Sequence, residues 1–252
     1  MRCVRRHSSH WGVNLAVVEI HDVAQTFGQG ELAVQALKPT SLCIAAGELV
    51  ALLGPSGSGK TTLLLAISLI QPPTSGRIVI DGATLFDEGP TRVDVRAFRR
   101  SKIGFIFQQH NLIPFLTAQE NVALMLRING QGRRESARRA KELLGYLEIG
   151  HRANSLPAQM SGGEQQRVAI GRALANEPAL ILADEPTAAL DTERGTKVMT
   201  MLRKIARERR SAVIAVTHDQ RMIEGFDTVY HLDDGRLARV ERSVQGASPA
   251  SS

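Results

Sequence analysis

A glycine-rich run that ends in lysine and threonine is the strongest chemical pattern in the chain. It fits the pattern G-x-x-x-x-G-K-[ST] and reads Gly54-Pro55-Ser56-Gly57-Ser58-Gly59-Lys60-Thr61-Thr62. Backbone N–H groups of such a turn can converge on phosphate oxygens because the glycines carry no side chains, and a helix that begins there adds its positive dipole end. We expect Lys60 to reach the β- and γ-phosphates of a nucleotide and Thr61 to ligate Mg²⁺. The alternative is a purely structural turn.

Two carboxylates follow an apolar run later in the chain. Asp184 and Glu185 come directly after Ala179–Ala183, which reads as a buried strand. At the carboxyl edge of a parallel sheet they would lie where open α/β folds bind ligands. Asp184 suits Mg²⁺, directly or through water, and Glu185 suits polarising an attacking water. An Asp-Glu pair after a strand is by itself usually a cap, so this interpretation depends on the glycine-rich loop.

The elements that must position these residues are short apolar strands that alternate with helices. Strands are expected at Val17–Val23, Glu48–Leu53, Arg77–Ile80, Ile103–Phe107, Ala179–Ala183 and Ser211–Thr217. The last two are continuous apolar runs, typical of strands covered on both faces of a parallel sheet. Helical Thr192–Arg210 joins them into a βαβ unit. Thr228–Val240, interrupted by Asp234-Gly235, predicts a late hairpin.

The domain organisation follows from where this alternation holds. Residues 17–242 are expected to form the folded domain, with a helical insertion at about 115–176, where no convincing strand is present. Residues 1–16 are interpreted as a disordered basic extension and residues 243–252 as a disordered tail of small residues.

Composition narrows the classes of protein without deciding between them. The 252 residues are 43% hydrophobic, ordinary for a globular chain, and aromatic residues are scarce at 4%, so a base-stacking surface is not indicated. Every apolar run is far shorter than the roughly 20 residues that cross a bilayer. The net charge of +6 permits nucleic acid or an anionic membrane surface as partner, but a solvated basic surface is favoured.

A third motif resembles a known family. The heptapeptide Ser161-Gly162-Gly163-Glu164-Gln165-Gln166-Arg167 is similar to the signature of ABC ATPases, with Met160 where leucine is usual. The order of phosphate loop, heptapeptide and Asp-Glu-Pro-Thr after a strand is typical of that family, and the resemblance covers roughly Val17–Val240. It implies ATP and Mg²⁺ as ligands. It also implies an α/β P-loop NTPase fold with a parallel-sheet core, an antiparallel β subdomain and a helical subdomain.

The resemblance also assigns roles to residues outside the loop. Phe27 looks like the aromatic residue that stacks on adenine, with a plain core phenylalanine as the alternative. Gln108 looks like the glutamine that contacts Mg²⁺ or water and relays the nucleotide state to a membrane subunit. Asp191 resembles the D-loop aspartate, and His218 resembles the histidine that contacts the γ-phosphate. Glu185 and Lys60 complete the catalytic set.

The signature segment has a physical interpretation as an anion site. Ser161 is a good N-cap, and Gly162-Gly163 allows close backbone approach to the helix that begins at Glu164. An uncovered helix N-terminus favours negative charge. One chain cannot easily fold this segment and its own phosphate loop onto the same phosphate. The resemblance therefore implies a head-to-tail homodimer in which each ATP lies between the loop of one subunit and the signature of the other.

A weaker similarity, in the segments around these motifs, indicates the MacB, LolD and FtsE group of ABC ATPases. Ala188–Asp191 together with Thr217–Met222 looks most like the haem-exporter and glycolipid-exporter (DevA-like) members. That likeness implies a peripheral protein on the cytoplasmic face of the inner membrane. It would work with a separate integral-membrane permease, and in some systems a periplasmic adaptor, to export or extract a lipophilic substrate.

Two other functions remain open at this point. An FtsE-like regulatory ATPase would signal through a membrane partner without transport, and its sequence would look the same. A soluble ABC ATPase acting on nucleic acid or ribosomes usually carries two cassettes or a large inserted domain. Neither is present, so we expect no nucleic-acid partner.

Overall fold

Two sheets and a set of helices make up the described part of the chain, residues 16–188 and 190–243 of a computed structural model. The strands are β1 (Ala16–Phe27), β2 (Val34–Ala45), β3 (Leu49–Leu53), β4 (Ser75–Ile80), β5 (Ala83–Asp87), β6 (Ile103–Ile106), β7 (Leu180–Asp184), β8 (Ala212–Val216), β9 (Thr228–Asp233) and β10 (Arg236–Arg242). The helices are α1 (Lys60–Ile67), α2 (Val95–Lys102), α3 (Ala118–Ile128), α4 (Arg133–Tyr146), α5 (Gly162–Leu174) and α6 (Thr192–Arg209). Short 3-10 turns lie at Gly30–Leu32, Gly150–Arg152, Pro157–Gln159 and Gln220–Met222.

The larger sheet carries the chemistry at one edge. Its order is β10-β9-β3-β8-β7-β6, and every pair is parallel except the β9–β10 hairpin. All residues of β3 and β8 are buried, and for β8 its continuous apolar run predicted this. Leu52 pairs with Val216 and Ala183 pairs with Ala215. The carboxyl ends of β3, β7 and β8 therefore meet, which brings the glycine-rich loop beside Asp184.

The smaller sheet is antiparallel and has the order β2-β1-β4-β5, which confirms the antiparallel part of the expected fold. Helix α1 packs between the two sheets. Its side chains Leu63, Leu64 and Ile67 are fully buried in one apolar cluster that includes residues of both sheets. This burial fixes the axis of the helix on which Lys60 and Thr61 stand.

The stretch between Thr117 and Asn176 contains α3, α4 and α5 and, among its residues, all of them described, no strand. Capping boxes start two of these helices, at Thr117 and at Ser161. Ala16 belongs to β1, so the first strand begins one residue before the expected domain boundary. Apart from Ala16 and Ser243, the extension expected at 1–16 and the tail expected at 243–252 lie outside the described residues.

The six predicted strands, the helix at Thr192–Arg210 and the late hairpin all overlap observed elements. Three elements lack a counterpart in the sequence prediction: β2, β5 and α2. Strand β2 contains Pro39, which argues against a central strand, and the structure resolves the conflict by placing β2 at a sheet edge. Helix α2 is short and highly charged, with none of its residues fully buried, so it has little apolar periodicity to detect.

Candidate nucleotide-binding site

The glycine-rich loop links β3 to α1, and its glycines stand where a side chain cannot. A Cβ at Gly54 would lie 2.1 Å from the carbonyl oxygen of Leu232, and one at Gly59 would lie 2.8 Å from that of Ala36. Gly59 also has a left-handed φ of +95° as it caps α1. Gly57, by contrast, has open space on its Cβ side. The loop is therefore packed against the protein at its two ends and free at its middle, a shape that leaves room for a phosphate group.

Lys60 is held inside the curve of this loop. The residue as a whole is only 7% exposed. Its ammonium group makes three hydrogen bonds. Nζ donates to Gly54 O at 2.8 Å, to Pro55 O at 2.7 Å and to Ser58 Oγ at 3.4 Å. Burial lowers the pKa of Lys60, while the nearby carboxylates of Glu185 and Asp184 act in the opposite direction. The cation is thus positioned before any phosphate arrives.

Asp184 and Thr61 lie together at the sheet edge. Asp184 ends β7, and the Thr61 side chain at the start of α1 is hydrogen-bonded to its carboxylate. Burial raises the pKa of Asp184, and the charge of Glu185 raises it further, against the effects of Thr61 and Lys60. A hydroxyl beside a carboxylate is an oxygen donor set that Mg²⁺ accepts.

Glu185 is held in an unusual backbone conformation. Its φ is +47°, and its N–H donates to Val216 O at 3.0 Å. A glutamate in the left-handed region is uncommon, but Glu88, Glu148 and Glu177 adopt it as well, so the conformation does not by itself mark the site. Its carboxylate lies 3.1 Å from Nδ1 of His218, which follows β8 and is about two-thirds exposed. The pair places a carboxylate next to an imidazole at the mouth of the loop.

Lys60, Thr61, Glu185 and His218 line one open pocket of about 500 Å³, and Asp184 lies just outside its lining. Its walls are Ala36, Ser56, Gly57, Gly59, Lys60, Thr61, Thr62, Glu185 and His218. Within residues 16–188 and 190–243 no three His, Cys, Asp or Glu side chains cluster as a metal cage. Mg²⁺ is commonly held by one or two carboxylates together with substrate phosphates, so this donor set fits a magnesium nucleotide rather than a stand-alone metal centre.

Outside the signature, seven predicted site residues do not line this pocket: Phe27, Gly54, Pro55, Ser58, Gln108, Asp184 and Asp191. Phe27 ends β1 and is 36% exposed. Gln108 is exposed two residues beyond Ile106, which pairs with Ala183, so it follows the same sheet edge as Asp184. Asp191 caps α6 by accepting a hydrogen bond at 2.9 Å from the backbone N–H of Arg194.

The signature segment is a separate, locally closed structure. Ser161 caps α5: its Oγ accepts from the N–H of Glu164 at 3.4 Å, and the Glu164 carboxylate accepts from the N–H of Ser161 at 2.7 Å. Arg152 donates to the same carboxylate at 2.8 Å and, with Ser161, holds the pKa of Glu164 at about 2. Ser161 and Gly162 are exposed. None of the predicted signature residues lines the pocket of their own chain.

Tertiary contacts add residues that sequence reasoning missed. Ala36 lines the pocket from β2. Gly235, in the turn between β9 and β10, donates its N–H to Ser58 O at 3.2 Å and accepts from the Lys38 N–H at 2.8 Å. This turn supports the phosphate loop from behind. No local signal marks either residue, since each acts through a partner far away in the chain.

The fold and the pocket define a P-loop ATPase with an inserted helical region. The ABC transporter family profile matches residues 37–188. The chain is 45% identical over 233 residues to the ABC transporter ATP-binding protein MJ0796 of Methanocaldococcus jannaschii, with 90% of this chain and 97% of the relative covered. It is 40% identical over 227 residues to the lipoprotein-releasing system ATP-binding protein LolD of Nitrobacter hamburgensis, with coverage of 90% and 97%.

Solved structures agree with the sequence relatives. A dimeric, post-hydrolysis structure of the ATP-binding cassette MJ0796 bound to ADP and Pi matches with a TM-score of 0.79 and 43% identity, over 89% of this chain and 98% of that one. The chain belongs to the ABC transporter family. It is an ATP-binding subunit with ABC-type ATPase activity, in the group of MacB-, LolD- and FtsE-like proteins.

Proposed function

We propose that the chain hydrolyses ATP as a head-to-tail homodimer and thereby drives a separate membrane permease. The observation that carries this proposal is the position of the signature. Ser161, Gly162 and Gly163 stand at the exposed start of α5 and do not line the phosphate pocket of their own chain. An exposed helix N-terminus with two glycines suits an anion supplied from outside. The MJ0796 cassette, a relative that is dimeric with ADP and Pi bound, supports the dimer in this proposal.

The residues at the pocket have separate roles in this proposal. Lys60 and the backbone N–H groups of Gly57 to Thr62 hold and orient the β- and γ-phosphates. Thr61 and Asp184, with Gln108, would hold Mg²⁺, which neutralises phosphate charge when it is bound. Glu185 accepts a hydrogen bond from the attacking water and polarises it, and His218, 3.1 Å away, keeps that carboxylate in place.

The remaining predicted residues act at the borders of the pocket. Phe27 offers an exposed ring to adenine at the end of β1. Asp191 lies just ahead of α6, and Ser161 to Glu164 close over the partner's phosphates. In this scheme Glu164 acts through the helix cap, because both of its carboxylate oxygens are already hydrogen-bonded. Closure on ATP and opening after hydrolysis would move an attached partner.

The cellular setting of this proposal rests on the relatives. LolD proteins are named as part of a lipoprotein-releasing system, which supports export or membrane extraction of a lipophilic substrate. No helix among the described residues is long and apolar enough to cross a membrane. By analogy with the transporter subunits it resembles, we place the chain peripherally on the cytoplasmic face of the inner membrane, bound to an integral permease and in some assemblies to a periplasmic adaptor. Nucleic acid has no part in this function.

Mixing two inactive variants tests the shared site. Lys60→Ala destroys the loop half and Ser161→Arg blocks the signature half, so each variant alone should be inactive. A mixed head-to-tail dimer keeps one site with both halves intact. Equal mixing should therefore restore roughly a quarter of the wild-type ATPase rate, because half of the dimers are mixed and each holds one working site.

The matched control combines both changes in one chain. A Lys60→Ala, Ser161→Arg double variant mixed with Lys60→Ala has no intact site in any dimer and should stay inactive. Nucleotide binding to the Ser161→Arg monomer should be preserved, since its own loop is unchanged. No recovery in the first mixture, with both variants folded, would contradict the shared-site arrangement.

A further inference from the structure

Two hairpin turns of the chain have the same local structure but different surroundings. The β4–β5 turn contains Asp81 and Gly82, with φ angles of +49° and +75°, and the β9–β10 turn contains Asp234 and Gly235, with φ angles of +44° and +70°. Positive φ at both central residues is typical of a type I′ hairpin turn, for which Asp-Gly is a preferred sequence. In each turn the aspartate forms an ion pair with a lysine outside the hairpin. The turns differ in what their glycines contact.

The β9–β10 turn is packed against the phosphate loop. The N–H of Gly235 donates to Ser58 O at 3.2 Å, and its carbonyl accepts from the N–H of Lys38, on β2, at 2.8 Å. A Cβ at Gly235 would lie 3.0 Å from the carbonyl oxygen of Ala36, which is also on β2. A Cβ at Gly82 would have nothing within 4 Å. The Gly235 turn therefore lies between β2 and the loop, whereas a side chain at Gly82 would meet open space.

The hydrogen bond to Ser58 O sets the direction of the N–H that follows it. The peptide that joins Ser58 to Gly59 is planar and trans, so its C=O and its N–H point in opposite directions. Because the C=O points to Gly235, the N–H of Gly59 points away from the turn. Gly59 lines the nucleotide pocket and caps α1, and N–H groups at a helix start are suited to binding phosphate. The turn thereby orients one phosphate donor of the loop.

An ion pair ties the same turn to β2. Nζ of Lys38 lies 2.5 Å from Oδ2 of Asp234, and this hydrogen bond lowers the pKa of the Asp234 carboxyl. Lys38 belongs to the smaller sheet, and Asp234 joins two strands of the larger sheet. Lys38 therefore holds the turn twice, through its backbone N–H and through its ammonium group. An ion pair with one exposed partner is a weak contact, so we expect its effect on the loop to be modest.

We propose that Gly235, held by Lys38 and Asp234, is a positioning residue that orients the Gly59 N–H towards the β-phosphate of the nucleotide. This rests on the proposed function in one respect, the binding of phosphate by the N–H groups of the loop. Gly235 and Asp234 do not line the pocket, so they act through the loop and not by contact with the nucleotide. An oriented N–H binds phosphate equally before and during hydrolysis. Loss of its orientation should therefore weaken nucleotide binding and leave kcat nearly unchanged.

Calorimetric titration of the full-length chain with MgADP tests this inference. ADP carries the β-phosphate and is not hydrolysed, so the dissociation constant reports on binding alone. Gly235→Ala should raise Kd about tenfold, because the added Cβ displaces the turn from Ala36 O and a hydrogen bond to a charged phosphate is weakened. Gly82→Ala is the matched control. It puts the same backbone strain on the same kind of turn, and it should leave Kd close to the wild-type value.

Asp234→Asn is a second variant, which adds no side-chain volume. It should raise the Kd for MgADP about two- to fivefold. The reversed pair, Lys38→Glu with Asp234→Lys, should recover most of that loss. Asp81→Asn removes the matching ion pair with Lys102 and should have no effect on Kd. In Gly235→Ala and Asp234→Asn the KM for MgATP should rise with Kd, while kcat at saturating MgATP stays near the wild-type value.

The other outcomes overturn the inference. An equal rise of Kd in Gly235→Ala and Gly82→Ala would show a general effect of strained turns. An unchanged Kd in a folded Gly235→Ala variant, or a fall in kcat alone, would show that the turn does not act on phosphate binding. If Gly235→Ala does not fold, Asp234→Asn and the reversed pair decide the question, because an unchanged Kd or a failed recovery contradicts the role of the ion pair.

Failure of this inference is distinguishable from failure of the proposed function. MgADP binding needs the loop of one subunit, whereas the mixing experiment measures hydrolysis by two subunits together. If the loop itself did not bind phosphate, Lys60→Ala would bind MgADP as tightly as the wild type. A weakened Lys60→Ala variant beside an unchanged Gly235→Ala variant would keep the loop in its role and remove only the turn.

Discussion

The phosphate loop and the signature segment hold their charged side chains in opposite ways. Lys60 is buried and surrounded by carbonyl and hydroxyl oxygens, and burial also raises the pKa of its neighbour Asp184. Glu164 belongs to an exposed capping box, and hydrogen bonds from Arg152 and Ser161 hold its pKa at about 2. The loop is preorganised by burial, whereas the signature is preorganised by local hydrogen bonds at its surface.

This difference explains how the two segments can belong to one site without touching in one chain. The loop needs strands and a turn from distant parts of the chain, since Leu232, Ala36 and Gly235 surround its glycines. The first turn of the signature helix is held locally, by the Ser161–Glu164 capping box and by Arg152, and it stays exposed. A surface segment of this kind can contact a second subunit without breaking any of its own hydrogen bonds.

The largest expected effect comes from removing the buried cation of the loop. Lys60→Ala should lower the ATPase rate by about 10²-fold or more, because a preorganised charge at the γ-phosphate is lost. The measurement is phosphate release at saturating MgATP. Lys197→Ala is the matched control, since Lys197 is exposed on α6 and forms an ion pair with Glu193. Normal turnover by the Lys60→Ala variant would show that the phosphate loop is not needed for hydrolysis.

Glu185→Gln should separate binding from chemistry. Without the carboxylate that polarises water, hydrolysis should fall by about 10²–10⁴-fold while ATP still binds. We expect this variant to accumulate as an ATP-bound dimer in size-exclusion chromatography. Glu193→Gln, an exposed glutamate on α6, should behave as the wild type. A Glu185→Gln variant that remains monomeric with MgATP would contradict the shared site, because ATP bound to the loop would then not recruit the signature of a second subunit.

The smallest effect is expected at the signature cap. Glu164 has a pKa of about 2, below its ordinary value of 4.5, so its stabilising contribution is present above pH 4.5 and is lost as the pH falls towards 2. Hydrogen exchange at the first turn of α5 should therefore accelerate, beyond the intrinsic pH effect, between pH 5 and pH 3. Glu164→Gln should remove this pH dependence. An unchanged profile would show that the cap does not order the helix start.

Local chemistry explains which parts of the site could be predicted from sequence. Lys60, Thr61, Asp184 and Glu185 follow apolar runs typical of buried strands, and their residue types suit phosphate and Mg²⁺. The Ser161 cap is also visible, because Glu164 follows it at capping-box spacing. The contributions of Ala36 and Gly235 were not predictable, since an alanine and a turn glycine carry no chemistry of their own.

The position of β2 in the fold could not be predicted from the sequence either. Its Pro39 is incompatible with a central strand, and only the pairing with β1 along one side makes the edge position evident. Likewise, the charges of α2 are visible in the sequence. That Lys102 forms an ion pair depends on where Asp81 lies in space.

The sequence by itself identified the residues proposed to bind phosphate and the order along the chain of the strands that carry them, because loop chemistry and strand burial are local properties. Only the tertiary structure decided how those residues meet. The parallel register of β3, β7 and β8 brings Lys60 to Asp184, and the β9–β10 turn braces the loop. It also decided that the signature faces outwards, since the direction of α5 is set by packing against α3 and β6 rather than by the heptapeptide itself.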